Sequence, residues 1–585
     1  MVTVRPSVCR IASYSSPAVG WLLSLLCLSA QVSWPIPARS AEWTVSTTAE
    51  LQSRLIQAQD NGEDDVIQLE AGLYQVPSTV TFSSVESHTL SLSGAGIGLT
   101  ILDGGVPAAV QLLNILSFGE DAAVHLNDMT LRNGRSTDSI GGALHVETAT
   151  GDITVELCEI SDSSVAGTDD ATIAGGAALD SVTGDIRVDR STFLRNSSPG
   201  NVGGLFAGTG GTTLVSSCRF ESNSVANSTG SEYFGDGGGA MLYAGEDGDD
   251  QITRVHGCTF VANSATGGDN PDGGGLMIYQ NGDSVEAEVI GNTFDSNTAG
   301  LGGAGLFVRI NSSGRITCSY NAFVNNTAGA PAGGDGGGAH LFNTVGETTV
   351  HGNTFVNNQT TWDGGGLWLS LVDGEASVTG NLFAGNEAGS NGGGMFVFTE
   401  NATSVSSLSF DVFDSNSAGN VGGGLSFAST AGSLHVRAST FFANSAAADG
   451  GGLYIYREGG APAEITDLIL SNDTPSELGF SGPGTTGLTV TYSDVEGGNA
   501  AWMGSGCISS APLFEEPTEG DLRLSWPNYP IADASMSPCI DAGDPLSPND
   551  PDGTPADMGA LPYASTFLDG FECGSPYAWT DMSGY

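Results

Sequence analysis

The sequence predicts an all-β fold: a single-stranded, right-handed parallel β-helix, or solenoid, of roughly twelve coils, with a short N-terminal capping helix and an irregular C-terminal cap. Three observations carry this. Glycine triplets recur ahead of short aliphatic strands, as in Gly364-Gly365-Gly366-Leu367, Gly392-Gly393-Gly394-Met395 and Gly422-Gly423-Gly424-Leu425. Each is followed by Phe-x-x-Asn, namely Phe383 with Asn386, Phe413 with Asn416 and Phe441 with Asn444. The anchoring residues Phe193, Phe220, Phe260, Phe294, Phe323, Phe355, Phe383, Phe413 and Phe441 stand 27, 40, 34, 29, 32, 28, 30 and 28 residues apart. Strands must return to register with the coil beneath at about 4.8 Å, whereas corners tolerate insertions, such as those at 227–234 and 267–272. Finally, 86 glycines and only 14% charged residues describe short strands with tight corners, and neither a charged disordered chain nor a membrane protein.

Taken in order, Arg5 and Arg10 precede the apolar run from Val19 to Ala30, and Ala38-Arg39-Ser40-Ala41 offers small residues for cleavage. Residues 1–41 therefore read as a secretory signal peptide. No later stretch is apolar for long enough to span a bilayer as a helix. Residues 49–60 carry Leu51, Leu55 and Ile56 at helical spacing, a short amphipathic helix expected to cover the unpaired edge of the first coil. The solenoid is expected over residues 42–475, a cap over 476–563 and a terminal sorting or anchoring tail over 564–585. Within the cap, Cys507 to Phe514 and Asp521 to Leu524 read as final irregular rungs.

Two positions before the anchors stand Ser191, Cys218, Cys258, Asn292, Asn321, Asn353, Asn381, Asp411 and Ser439. Small polar residues at one corner of successive coils hydrogen-bond up the stack as a ladder. Cys218 and Cys258 occupy equivalent sites, at a separation that suits either a disulfide or two ladder thiols. Cys507 and Cys539 flank the cap and are the expected disulfide. With Cys158, Cys318 and Cys573, seven cysteines follow the signal peptide, an odd number.

The charge narrows the partners. There are 66 acidic residues against 16 basic ones, a net charge of −50, and every basic residue is arginine. Such a surface repels nucleic acid and anionic membranes, whose binding rests on cationic neutralisation of phosphate. No cofactor is indicated. Calcium is conceivable on so acidic a chain, but Asp550 and Asp552 before Gly553 do not make a complete ligand loop.

The pairing of Phe-x-x-Asn with Gly-Gly-Gly-Leu or Gly-Gly-Ala resembles the repeats of polymorphic outer-membrane proteins and, more widely, bacterial right-handed parallel β-helix proteins of pectin-lyase-like fold. The resemblance covers roughly residues 43–475 and implies a secreted or surface-displayed, often adhesive, bacterial protein. The long run of alternating strands that would form an autotransporter barrel is absent from the C-terminal end. The segment from Ser537 to Pro545, with Asp550-Pro551-Asp552-Gly553 and Ala556-Asp557-Met558-Gly559-Ala560, resembles the closing "choice-of-anchor" region of such proteins. The tail around Asp569-Gly570-Phe571-Glu572 is similar to a short terminal motif of exported bacterial proteins.

Function is sought on the strand after each glycine triplet. Its first and third residues are uniformly apolar and are expected inside, for example Leu367 and Leu369. Its second and fourth residues then point outward and form an aromatic stripe: Tyr243, Tyr279, Phe307, Arg309, His340, Phe342, Trp368, Phe396, Phe398, Tyr454 and Tyr456. Flat rings in a row suit stacking on an extended glycan or on another surface macromolecule. The enzyme alternative is a polysaccharide lyase or glycoside hydrolase, which the same fold hosts. It meets no lysine base; Arg309 with His340 is the only cationic pair near the stripe, and Asp335 and Asp363 sit where turn chemistry also wants an acid. A passive envelope structural protein is the third class.

Overall fold

The computed structural model describes residues 40–563 except 106–109, 138–139, 167–173, 226–236, 246–249, 267–270, 330–332, 459–460, 483–485 and 500. Residues 1–39 of the expected signal peptide, the insertion at 227–234, most of that at 267–272, and the tail 564–585 with Cys573 lie outside the described residues. Ser40 and Ala41, expected at the cleavage site, belong to the first strand, Ser40–Val45.

The chain winds into a parallel β-solenoid of about 13 turns, one more than expected. One turn shows the plan. Met395–Thr399 follows the glycines, Val405–Ser409 forms the next side, Val412–Asp414 carries the anchoring Phe413, and Ser417–Ala418 leads to the next triplet. Each strand pairs in parallel with its counterpart one turn away. The short last strands form their own ladder of 11 strands, from Arg135–Ser136 to Ser445–Ala446.

Glycines make the corner possible. Gly364 has φ +70°, and a Cβ on Gly365 would stand 2.3 Å from the Gly393 carbonyl oxygen. One position therefore needs left-handed backbone and the next needs the missing side chain. At the other two corners the left-handed residue is usually not glycine: Asn357 (φ 54°) precedes Asn358, and Phe410 (φ 57°) precedes Asp411. That turn swings the following side chain inward.

The interior is a set of columns in register. The nine anchoring phenylalanines stack with centroids 4.6–4.9 Å apart and planes within 7°, through spacings of 27 to 40 residues. Beside them run two amide ladders. In one, Asn196, Asn223, Asn263, Asn297, Asn326, Asn358, Asn386, Asn416 and Asn444 are all at most 1% exposed. Asn358 donates from its backbone N–H and from Nδ2 to Asn386 Oδ1, each at 3.0 Å, and from Nδ2 to the Phe323 carbonyl at 2.9 Å. Asp473 ends this ladder by accepting both Asn444 donors on Oδ1, at 2.7 and 2.9 Å. The other is the ladder expected two residues before each phenylalanine, and its cysteines belong to it. Cys218 N–H donates to Cys258 Sγ at 3.4 Å, and the Cys258 N–H donates to Asn292 Oδ1 at 2.8 Å.

Both ends are covered. The helix α1, Thr48–Ala58, is capped by Thr47, whose hydroxyl accepts from the Glu50 N–H, while the Glu50 carboxylate accepts from the Ser46 N–H at 2.8 Å. Leu51, Leu55 and Ala58 are buried against the first coil. Ile56, expected on that face, is 58% exposed, because the buried face takes the 51, 55, 58 positions instead.

At the far end the parallel ladder passes residue 475: Leu478–Ser481, Leu488–Thr491 and Asp494–Val495 pair with the turn below. Of the rungs expected over Cys507 to Phe514 and over Asp521 to Leu524, the first continues the parallel ladder at Ile508, which bridges Asp494, whereas its end at Phe514 pairs with Asp521–Leu524 in an antiparallel hairpin. The hairpin and the closing segment pack along the flank of the solenoid, where Leu522, Ala560 and Leu561 meet Val412, with Leu382 and Phe442 beside them. Asp467 secures them: its carboxylate accepts from the Asp544 N–H at 2.6 Å and the Ser547 hydroxyl at 2.7 Å, and its carbonyl from the Gly559 N–H at 2.7 Å.

No disulfide joins the described cysteines. Cys539 Sγ donates to Asp494 Oδ2 at 3.3 Å and Cys507 Sγ to the Val490 carbonyl at 3.4 Å, so the expected bridge is replaced by two separate thiol hydrogen bonds. Cys218 and Cys258 stay thiols because each sulfur serves the ladder, turned to carbonyls of its own and the preceding turn. Alkylation under denaturing, non-reducing conditions should label Cys158, Cys218, Cys258, Cys318, Cys507 and Cys539; an unlabelled pair would contradict this arrangement.

Phe355→Ala removes a ring stacked on both sides and should cost about 3–5 kcal/mol in denaturant unfolding. Asp411 is a natural defect in the second ladder. Its Oδ1 accepts from Asn381 N–H and Nδ2, but its buried Oδ2 has no partner where the asparagines place a donor. Burial pushes its carboxyl up to about 7. The native state thus keeps a proton that the unfolded chain releases near pH 4, so the contribution is whole below pH 4 and drains away as pH rises to about 7. Asp411→Asn should raise stability at pH 8 by about 1–3 kcal/mol and flatten that part of the pH profile, measured by thermal melts from pH 4 to 8.

Candidate functional site

The aliphatic half of the alternation holds at every turn: Leu367, Leu369, Met395 and Val397 are fully buried, as are their counterparts. The second and fourth residues therefore do stand on the outside of the winding. Parallel register then brings Met277, Phe307, His340, Trp368 and Phe396 into one column, and Tyr279, Arg309, Phe342, Ser370 and Phe398 into the next.

Within the first column the rings touch. Phe307 and His340 centroids are 4.7 Å apart, His340 and Trp368 4.1 Å, and Trp368 and Phe396 6.3 Å with planes at 16°. In the second, Tyr243 stacks on Tyr279 at 6.0 Å, and the Arg309 guanidinium lies 4.9 Å over the Phe342 ring. Asn311 Nδ2 donates to the Tyr279 hydroxyl at 2.7 Å.

The stripe is not uniformly open, which corrects the expectation of exposed rings. Met241, Met277, Tyr279 and Phe307 pack with Ala174, Ala178 and Val202 in a second apolar cluster outside the main core. Phe396 is likewise buried, wedged beside Trp368. What reaches water is Arg309, with Tyr243, His340, Phe342, Trp368 and Phe398 half-buried. Ser426 and Ala428 then interrupt the column, and Tyr454 and Tyr456 form a separate pair beyond. Tyr454 donates to Ser481 Oγ at 2.8 Å and Tyr456 to Glu458 Oε1 at 3.1 Å.

Alongside runs the corner column of acids. Asp335 Oδ1 accepts from the Asp363 N–H at 3.2 Å, and Asp363 Oδ1 from the Asn391 N–H and Nδ2 at 2.8 and 2.9 Å. Each acid thus caps the corner of the following turn, the turn role weighed against catalysis. Burial pushes Asp335 up to about 6 and Asp272 to about 7, while the amides they face offset part of the rise. Burial and the Arg309 charge hold His340 down to about 3, so its imidazole is neutral.

Sequence reasoning missed Trp362. It is 52% exposed and precedes Asp363 at a corner where other turns carry Leu301, Gly334, Ser390, Asn420 or Ala448. A lone tryptophan among such residues was the available signal. Its indole lies over the α-carbon of Gly333, where a Cβ would come within 2.4 Å of the ring. Among the described residues no group of three or more His, Cys, Asp or Glu is placed to hold a metal ion. In the closing segment the aspartates serve turns: the Asp557 N–H donates to Asp550 Oδ2 at 2.7 Å and the Thr554 N–H to Asp552 Oδ1 at 3.0 Å. No helix among the described residues is long and apolar enough to cross a membrane.

No protein-family model matches the sequence, and no curated protein does. Among solved structures, ORF18 of Geobacillus virus E2 aligns with a TM-score of 0.25 and 10% identity. The alignment covers 67% of this chain and 59% of that one, so the chain spans less than two thirds of its length. The fold therefore rests on the chain's own ladder.

Proposed function

We propose that this protein binds an extended, neutral polysaccharide through the outer aromatic column, as a secreted or surface-displayed adhesin-like module. The observation that carries the reading is the run of touching rings from Phe307 through His340 and Trp368 to Phe396, stepping with the strands, in which the central His340 and Trp368 are half-open to water between buried end rings. Rings in a straight row at strand pitch match a polymer laid along the axis better than a compact small molecule. Trp362 at the neighbouring corner adds a second exposed ring. The net charge of −50 and the corner acids disfavour an acidic polymer.

A signal peptide at the start, Phe-x-x-Asn with glycine triplets, and a closing segment like the choice-of-anchor region support export and display. Kinship with pectin-lyase-like and polymorphic outer-membrane proteins belongs to this proposal. The lyase or glycosidase reading and the passive envelope role have no comparable observation in their favour, since Asp335 and Asp363 are engaged as corner caps.

Trp368→Ala and Phe398→Ala should each weaken binding to neutral polysaccharides by about 1–2 kcal/mol while the melting transition stays in place. Affinity electrophoresis through gels containing a glucan, a mannan or a xylan measures this. Unchanged retention in the double variant, or release of reducing ends by the wild type, would overturn the reading.

A further inference from the structure

The asparagine ladder ends on an acid that has an oxygen left over. Asp473 Oδ1 accepts both Asn444 donors, while Oδ2 is buried with no donor to meet it. The chain then crosses the last glycine corner as a loop over 473–477. The Thr474 N–H donates to the Asn444 carbonyl at 2.9 Å, and the Gly451 and Leu453 N–H groups donate to the Ser476 and Glu477 carbonyls at 2.6 and 3.0 Å. Glu477 closes this loop on itself. The Asp473 N–H donates to both Glu477 carboxylate oxygens, at 3.2 and 3.3 Å, and the two acidic side chains are hydrogen-bonded to each other.

A hydrogen bond between two carboxyl groups requires a proton on one of them. Asp473 is 5% exposed and Glu477 8%, so two charges side by side would go without the water that could screen them. The other charged groups facing the loop are acids as well. Glu496 acts on Glu477 and accepts from the Asn472 N–H at 2.9 Å, and Asp449 Oδ1 accepts from the Ser476 hydroxyl at 2.6 Å. Burial, then the hydrogen bond and charge of Glu477, raise Asp473 well above the usual carboxylate range; burial pushes Glu477 up to about 7. Gly452 makes room for the pair, since a Cβ there would stand 2.5 Å from Asp473 Oδ2.

We propose that Asp473 and Glu477 form a proton-dependent clasp on the C-terminal end of the solenoid: Asp473 Oδ2 carries a proton that it donates to the Glu477 carboxylate, and loss of that proton opens the loop at 473–477. An amide would complete the ladder at any pH, as asparagine does from Asn196 to Asn444; the acid makes the last link conditional. Opening matters because the loop leads into Leu478–Ser481, the strand that covers Leu453–Arg457. The closed pair keeps protons that the opened loop releases near pH 4. Its contribution is therefore whole below pH 4 and is lost as pH rises through the range where the pair ionises. Above pH 7, with Glu477 charged, one proton is left to release, and the opening constant rises about tenfold per pH unit.

Hydrogen exchange at pH 7 and pH 8, corrected for the intrinsic pH dependence of each amide, reads the opening locally and so apart from the Asp411 effect. Protection of the Asn444, Gly451, Leu453 and Thr474 amides should fall about tenfold over that unit, while the Asn263 and Asn297 amides in the middle of the ladder keep theirs. Asp473→Asn supplies a permanent donor in place of the proton, and Glu477→Gln supplies one from the other side. In each variant the same four amides should show protection that no longer changes with pH. Flat protection in the wild type, or an undiminished tenfold fall in both variants, overturns the proposal. A second measurement needs no variant: in protein labelled with carboxyl-¹³C aspartate, the Asp473 signal at pH 7 should be that of a carboxylic acid. A carboxylate signal there overturns the clasp whatever the variants do.

Discussion

The buried amide ladder is the constraint on which everything else depends. An asparagine sealed in an apolar interior must find partners for both halves of its amide, and nothing beside it in its own turn supplies them. Each finds them in its neighbours: Asn358 accepts from Asn326, donates to Asn386 and reaches back to the Phe323 carbonyl. A slip of one residue would leave a whole column of amides unpaired and turn every inward side chain out. Register is therefore enforced turn by turn. The chain length between anchors varies by more than ten residues, from 27 to 40, without disturbing the stack.

That enforcement separates inside from outside. Inward positions are held to Ala, Leu, Val, Ile, Met and Phe, a few small hydroxyl residues and the ladder residues, because the close-packed winding admits little else. Outward positions carry no such burden, and register lines them up automatically. A residue type repeated outside becomes a straight column, and two outer faces carry apolar columns of this kind. One is the aromatic column after the glycines. The other is the flank of the phenylalanine strands, where Leu382, Val412, Phe442 and Ile469 receive the closing segment.

What the sequence revealed follows the same division. The solenoid, the phenylalanine stack, the polar corner ladder and the inward aliphatic positions are periodic, and periodicity is visible without coordinates. The direction of the aromatic stripe was legible too. Its burial was not, because whether Phe307 or Tyr279 meets water depends on what packs against that face. The closing segment escaped for a related reason: its docking site is written as a change of outward residues, from Arg219 and Glu221 early to Leu382, Val412 and Phe442 late. Cys507 and Cys539 look like a pair by position, yet pairing depends on a separation that only the folded cap determines.

The central claim is that the ladder carries stability inside while the outer column carries recognition. Hydrogen exchange measured with and without a neutral polysaccharide bearing on that column tests it directly. Added protection confined to the corners and strands around Asp335–Phe342, Trp362–Ser370 and Asn391–Phe398, with the ladder amides already slow and unchanged, is the result expected. Protection appearing instead along the closing flank, or no change anywhere at saturating polysaccharide, would contradict it.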